Sequence, residues 1–398
     1  MEKVIGYLSG APRVSTRSNS EAGGPRAHVT GVIRAFGTNG WKVLPYIVGD
    51  KVPQRLVTNA ERHMESSAVI RFGADLARMA LSRWHAHSAW RELGQRVDLV
   101  YERFGVLQSM GRPFGVRGIP WVVETNGIFF QEAVSDRKAL VLQSIAKRME
   151  IATYRSADMI VAVTDALKQS LVEHAHLDEG KVLIMPNGVD VERFNPIANI
   201  PESGKVAGRI VFAGNLVGWQ SLDILLRAVD QVRKQGFEYS VLIVGDGPMK
   251  SEWVKLSVEL GIADSVTFAG RVTWDEVPRH IASGELCYSG QVPLRTAAMY
   301  HSPLKLYEYM AMARPVIASA YEDACRVVRD GETGFLFDGG SLQSLVDALR
   351  RAWRLRSGWA LMGGKARSAI VAEHSWHERV RKMSAQIEAR ISERGGAR

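Results

Sequence analysis

Between His301 and Ser319 the chain reads HSPLKLYEYMAMARPVIAS, and it carries two side chains suited to binding charge and hydroxyls, Lys305 and Glu308. Ser302 suits a helix cap, Pro303 suits the first helical position, and Leu304 to Ala313 contains no helix breaker. Leu306, Tyr309, Met310 and Ala313 recur at spacings of three and four and make an apolar face, while Lys305 and Glu308 share another. The plainer reading of that pair is a surface salt bridge worth a few tenths of a kcal/mol. The other reading places a phosphate on the helix N-terminus with Lys305 beside it. Glu308, one turn further in, would then accept hydrogen bonds from sugar hydroxyls. The surrounding elements decide between the two.

Those elements alternate. Val4 to Leu8 reads as a strand, followed by a polar loop, the pair Gly23-Gly24, a helix from about Pro25 to Phe36, and a strand from Lys42 to Val48. Gly23 and Gly24 either make a tight turn or let a ligand approach backbone amides. The loop has no GxGxxG, so a dinucleotide site is poorly supported. Ser66 to Leu93 reads as a helix, with Ile70, Phe72, Leu76, Met79, Leu81 and Trp84 among Arg71, Arg78, Arg83 and Arg91. Such a basic amphipathic helix can rest on an anionic membrane. More often it covers a sheet and shows its arginines to solvent. A strand at Trp121 to Val123 runs into Glu124-Thr125-Asn126-Gly127, polar residues where open α/β sheets bind ligands or simply a turn. A helix from about Ser135 to Tyr154 and the strands Met159 to Val163 and Val182 to Met185 complete the first array.

Pro186, Pro196, Pro201 and Gly204 mark a segment of little periodicity that suits a linker. A second array follows: the strand Ile210 to Ala213 with its Gly214-Asn215 turn, a helix from Trp219 to Lys234, and the strand Ser240 to Val244 with Gly245-Asp246-Gly247-Pro248. Then come Val266 to Ala269 with Gly270-Arg271, Leu286 to Ser289, a loop carrying Arg295, and the Lys305 helix. A terminal helix is expected from about Trp376 to Ile391. The expected fold class is α/β, with two doubly wound Rossmann-like domains. The expected divisions are residues 1–186, a linker at 187–206, 207–375, and a final helix at 376–398.

Composition narrows the partners. A chain of 398 residues suits two domains, and 46% hydrophobic with 23% charged residues is ordinary for a folded protein. Two cysteines, Cys287 and Cys325, without paired spacing argue against disulfides and a cysteine zinc site. The first residues, MEKVIGYLSG, lack the apolar run of a signal peptide, and no segment has the length of an apolar membrane-spanning helix, so the cytoplasm is expected. A formal charge of +9 favours anionic partners, whether phosphorylated small molecules or an anionic lipid surface. Without a zinc finger, RNP pattern or dense basic run, nucleic acid is not expected.

At this point the residues resemble a family. Ser156 to Thr164 (SADMIVAVT), Pro186 to Asp190 (PNGVD) with Phe194, Val244 to Pro248 (VGDGP), Ser302 to Ala311 (SPLKLYEYMA), Asp330 to Leu336 (DGETGFL) and Ser375-Trp376 look, in this order, like the retaining glycosyltransferases of family four. The resemblance implies the GT-B fold, two domains facing across a cleft, with the last helix crossing back to the first. The C-terminal domain would bind a nucleotide diphosphate sugar, UDP- or GDP-linked, and the N-terminal domain a hydroxyl acceptor. It implies a hexosyltransferase with no cofactor and no catalytic metal, which agrees with the lack of an Asp-x-Asp or histidine cluster. The leaving diphosphate then needs positive side chains and a helix N-terminus.

Carried over residue by residue, the resemblance assigns Glu308 to the ribose hydroxyls and Lys305 to the diphosphate. The backbone of Ser302, Pro303 and Leu304 would face phosphate or sugar. Gly214 and Gly245 stand at glycine turns, Arg271 at the base or phosphate edge, and Arg295 in the preceding loop. Lys305, Glu308 and Arg271 are the expected catalytic set. Gly23, Gly24, Glu124 and Asn126 are expected on the acceptor side. There are departures. The family's first motif glutamate falls at Tyr300, its usual Arg and Lys after the glycine turn fall at Asn215 and Gln220, and Asn126 stands nearest to its N-domain histidine. The expected reaction is retaining transfer of a hexosyl unit to a glycan, lipid-linked or small-molecule hydroxyl, with domain closure about the Asn187 to Gly204 linker. The alternatives are a GT-B nucleotide-sugar epimerase and a catalytically weak sugar-nucleotide-binding subunit. Peripheral contact at the inner membrane face is compatible with the basic helix.

Overall fold

The computed structural model describes residues 2–17, 23–53, 68–135, 140–201, 204–292 and 299–396. It forms two compact units. One comprises Met1–Pro186, Tyr300–Ser302 and Trp376–Arg398, and the other Asn187–Met299 and Pro303–Ser375.

In the first unit β1 (Lys3–Ser9), β2 (Trp41–Ile47), β3 (Leu99–Arg103), β4 (Trp121–Thr125), β5 (Met159–Ala162) and β6 (Val182–Ile184) form a parallel sheet in the order β2-β1-β3-β4-β5-β6. The inner strands read as near-continuous apolar runs because helices cover both faces. The Trp376–Gly396 helix belongs to this unit. Its Trp376 ring meets His28 edge-on, with centroids 4.9 Å apart, and a Cβ at Gly31 would overlap the indole.

In the second unit β7 (Arg209–Ala213), β8 (Ser240–Val244), β9 (Val266–Gly270), β10 (Leu286–Ser289), β11 (Val316–Ser319) and β12 (Gly334–Phe337) are parallel in the order β12-β11-β10-β7-β8-β9. Alternation along these strands builds a core on each face. Ile210, Phe212, Val241 and Ile243 enter one cluster, and Val211, Ala213, Leu242 and Val244 the other. The strand order reverses between β10 and β7, which places the ends of those strands at a topological switch point.

Several expectations need correction. The start of the expected linker packs against the second unit: Val189 pairs with Ser375, and Val189 and Phe194 bury in its core. Gly23 and Gly24 are not a loop but the first residues of the Gly23–Thr38 helix. In place of one helix from Ser135 to Tyr154 there are two, Phe129–Ser135 and Gln143–Ser156. Strand β4 runs on through Glu124 and Thr125, so these polar residues are inside the sheet rather than past its end.

Candidate active site

At the switch point of the second sheet, three strand ends are stitched together through backbone. Gly214 N–H donates to the Val244 carbonyl at 3.0 Å, Gly245 N–H to the Gly270 carbonyl at 2.8 Å, and Leu216 N–H to the Asp246 carbonyl at 3.0 Å. Gly245 has φ +135°, and a Cβ there would overlap the Gly214 carbonyl oxygen, so only glycine fits. Tyr309 fastens the end of β7: its hydroxyl accepts from Ala213 N–H at 2.7 Å and donates to the Ala213 carbonyl at 3.2 Å.

The Leu304–Ala311 helix brings Lys305 and Glu308 to these turns. Pro303 is its N-cap in extended conformation (φ −78°, ψ 116°), with no side-chain cap bond. This corrects the expected start: Ser302 does not cap, and Pro303 is not the first helical residue. Ser302 clusters with the first unit, whereas Pro303, Leu304, Lys305 and Glu308 belong to the second. The Lys305 ammonium donates to Gln220 Oε1 at 2.5 Å, lies 4.1 Å from the centre of the Phe212 ring, and stands 3.0 Å from where a Cβ on Gly214 would be. Part of each side chain still meets solvent, but protein surrounds their charged ends. Burial therefore pulls the Lys305 ammonium down to about 7 against the pull of Glu308. Burial likewise pushes Glu308 up to about 7, opposed by Lys305 and Arg193. The bland salt-bridge reading fails on this geometry, because the lysine's hydrogen bond goes to Gln220.

Arg193 is a site residue that the sequence reading missed. Its guanidinium stacks over Trp274, 3.2 Å from the ring centre, pairs with Asp275, and acts on Glu308 through space. Its position next to Phe194, already quoted as a motif residue, was the available signal. Arg271 is exposed beside Gly270 (φ +76°) at the end of β9. Asn215 follows the Gly214 turn, and Arg295 lies outside the described residues.

The first unit holds its candidate residues more tightly than expected. Glu124 is fully buried, with Oε1 2.8 Å from His28 Nε2. Burial alone would raise its carboxyl, but His28 and Arg103 hold it below the usual range. With its amide oriented to suit both neighbours, Asn126 donates to Glu124 at 3.2 Å and accepts from Arg103 at 3.1 Å. Glu124 is thus a buried charge beside His28, Arg103 and Asn126. Gly23 and Gly24 lie on the helix's first turn, away from this cluster's hydrogen bonds. Tyr300, expected at a donor-side position, is buried in this unit, where its hydroxyl donates to Glu132 at 3.2 Å and its carbonyl accepts from Thr164 at 3.0 Å. Among the described residues, no group of three or more His, Cys, Asp or Glu side chains could hold a metal.

Two family descriptions match the chain in series. Residues 22–193 match Glycosyltransferase Family 4, and residues 207–354 match Glycosyl transferases group 1. The chain belongs to this family. The family-four chain is 30% identical over 210 residues to a GDP-mannose-dependent alpha-(1-6)-phosphatidylinositol monomannoside mannosyltransferase of Mycobacterium tuberculosis, covering 50% of this chain and 54% of that one. It is 23% identical over 273 residues to an alpha-D-kanosaminyltransferase of Streptomyces kanamyceticus, covering 66% of this chain and 68% of that one. The chain spans about half the length of the first of these curated relatives. Its fold matches a sucrose-phosphate synthase of Thermosynechococcus elongatus with a TM-score of 0.70, 17% identity and coverage of 98% and 99%. An Anabaena protein solved with UDP and glucose matches with a TM-score of 0.65, 16% identity and coverage of 97% and 100%. The GT-B fold of the family-four chain is therefore established.

Proposed function

We propose that this protein is a retaining hexosyltransferase whose second unit binds a nucleotide diphosphate sugar and delivers the hexosyl unit to a hydroxyl acceptor. The carrying observation is Lys305, a desolvated ammonium held by Gln220 against the glycine turn at Gly214. An anion placed there gains a charge, a helix N-terminus and a backbone that admits close approach. Glu308, one turn along, suits the ribose hydroxyls, with Arg193 and Trp274 behind it. Arg271 supplies a further positive charge, exposed at the end of β9.

In the reaction, the bond from the anomeric carbon to the β-phosphate oxygen breaks as negative charge develops on the diphosphate. The acceptor oxygen bonds to the same face of the sugar, and its proton passes to the departing phosphate oxygen. Lys305 and the helix N-terminus act on the leaving group, so neither a dedicated protein base nor a metal is needed. The mannosyltransferase relative makes GDP-mannose the first donor to test, and the UDP-bound structure makes UDP-sugars the second.

A donor screen by mass spectrometry tests the reading. The expected result is nucleoside diphosphate release that accelerates when a hydroxyl acceptor is added and persists in EDTA. Conversion of the donor sugar without any acceptor would replace transfer with epimerisation. Binding without turnover across all donors would make the chain a binding subunit.

A further inference from the structure

At the end of β4, in the first unit, a buried polar network surrounds one accessible side chain. From Trp121 to Ile128 every residue is buried except Asn126. The Asn126 amide is held between Glu124 and Arg103. Its backbone is held separately. The Thr125 hydroxyl donates to the Gly127 carbonyl at 2.7 Å and closes the turn around Asn126. A Cβ at Gly127 would overlap Glu132, so the turn has no room on that side. The Gln143–Ser156 helix supplies the rest: Glu150 and Tyr154 lie one turn apart on it, and both are fully buried. The Tyr154 hydroxyl stands 3.0 Å from Thr125 Oγ1 and 3.1 Å from Glu150 Oε1. The two oxygens of Glu150 accept from the backbone N–H groups of Phe129 at 3.2 Å and Phe130 at 3.0 Å. One carboxyl therefore holds the first turn of the Phe129–Ser135 helix and, through Tyr154, the turn at Asn126. The Phe104 ring packs over both, with centroids 5.4 Å from Tyr154 and 5.9 Å from Phe129.

Counting hydrogens shows how these parts are joined. Thr125 gives its one hydroxyl hydrogen to Gly127, so toward Tyr154 it can only accept. Tyr154 has one hydrogen, which cannot serve Thr125 and Glu150 together. A protonated Glu150 resolves the conflict by donating to Tyr154. Burial pushes Glu150 up to about 8 against the pull of its N–H donors, so the carboxyl carries that proton at neutral pH. The hydrogens then run in one direction, from Glu150 through Tyr154 and Thr125 to the Gly127 carbonyl. Apolar side chains would fill the same space at lower cost in desolvation, so the return on the network is a fixed turn. We propose that Tyr154 and Glu150 are positioning residues for the acceptor: through Thr125 they fix the turn from which Asn126 meets the acceptor hydroxyl. This rests on the transferase reading and on the acceptor-side role of Asn126.

Tyr154→Phe tests the link, because it removes one hydroxyl and opens no cavity. Turnover of the donor selected by the screen, with glycerol as the hydroxyl probe, should fall about tenfold. Affinity for GDP or UDP, measured by calorimetry, should stay unchanged, because the proposed donor site lies in the second unit. Thr125→Val breaks the same chain one step further along and should give a similar loss; it also carries the test if Tyr154→Phe does not fold. Since both act on one turn, the double variant should be no slower than Thr125→Val alone. A merely structural role would lower the thermal midpoint and leave turnover unchanged, and that result would overturn the proposal. So would losses that multiply in the double variant, or a nucleoside diphosphate affinity that falls in step with turnover. An unmodified chain that turns over no donor would instead remove the transferase reading, and this role with it.

Discussion

Lys305 and Gln220 meet across 2.5 Å, and this contact holds an ammonium that protein atoms otherwise surround. The amide oxygen satisfies one of the three ammonium donors and aims the others toward the glycine turn. A glutamine positions the lysine without neutralising it, which a carboxylate would do. Gln220→Leu should leave the fold intact, because leucine nearly matches the volume of the buried glutamine. It should weaken nucleoside diphosphate binding about tenfold, the share expected of one hydrogen bond to a charged group. Isothermal calorimetry with UDP or GDP measures this, and unchanged affinity would remove Gln220 from the site.

Binding should also depend on pH. Burial lowers Lys305 to about 7, and burial raises Glu308 to about 7, so both lose a proton over one range as pH rises. Each loss makes the site less attractive to a diphosphate, and the signs add. Nucleoside diphosphate affinity is therefore expected to be highest below pH 7 and to fall above it, with proton uptake on binding near pH 8. Lys305→Met should reduce the uptake to the share carried by Glu308 and cut turnover by orders of magnitude. The bare nucleoside, lacking phosphate, should show little of this dependence.

Gly214 and Gly245 should tolerate no side chain, for different reasons. A Cβ at Gly214 would come within 3.0 Å of Lys305 Nζ, which can retreat, so Gly214→Ala should displace the ammonium and reduce turnover, with a smaller loss of thermal midpoint than at Gly245. At Gly245 the obstacle is the Gly214 carbonyl, and φ is +135°, so Gly245→Ala must shift backbone and should lower both midpoint and activity. Paired melting curves and kinetics separate the two. Equal effects of both substitutions would contradict the assignment.

The alternating strand and helix pattern, and with it the two parallel sheets, was legible because apolar runs and glycine turns report burial directly. Lys305 and Glu308 were legible as a motif, but their environment was not. Gln220, Phe212 and Arg193 reach them from three other stretches of sequence, and only the fold makes them neighbours. Other readings were incomplete because the partners that decide them are distant in sequence. Glu124 read as lying past the end of its strand because its buried partner His28 is 96 positions away in the chain. Arg83 and Arg91 of the Ala68–Leu93 helix are exposed, as composition suggested, whereas its inner face is fixed by hydrogen bonds of Asp75 and Ser82 that composition does not show. Residues 187–206 read as a linker because prolines hid the burial of Val189 and Phe194.

Stability should decline between pH 5 and 8. Burial raises Glu102 to about 7, and Glu150 to about 8, despite backbone N–H donors from Met110 and Gly111 to the first and from Phe130 and Phe129 to the second. A carboxyl whose folded value lies above its unfolded value stabilises the fold below the unfolded value, and that stability is lost as pH rises through the folded one. Carboxyls held below their usual range, such as Glu124, act in a lower window. The thermal midpoint is thus expected to be higher at pH 5.5 than at pH 8, and Glu150→Gln should flatten the difference. A midpoint that rises across this range would show that these carboxyls are ionised in the folded protein.

The terminal helix gives the sharpest test of how the first unit is held together. Trp376 is 5% exposed and lies against His28 and Gly31, while Thr38 Oγ1 lies 3.0 Å from His377 Nδ1 further along the same pair of helices. Trp376→Ala removes the largest side chain of that contact and should cost about 3–5 kcal/mol. Gly31→Ala approaches the same contact from the other side by placing a methyl group where the indole sits. Because both substitutions act on one interface, their effects should not add: the double variant should lose less than the sum, since removing the indole makes room for the methyl. Chemical denaturation of the two single variants and the double variant measures the coupling. Strict additivity would mean that the indole and Gly31 do not meet.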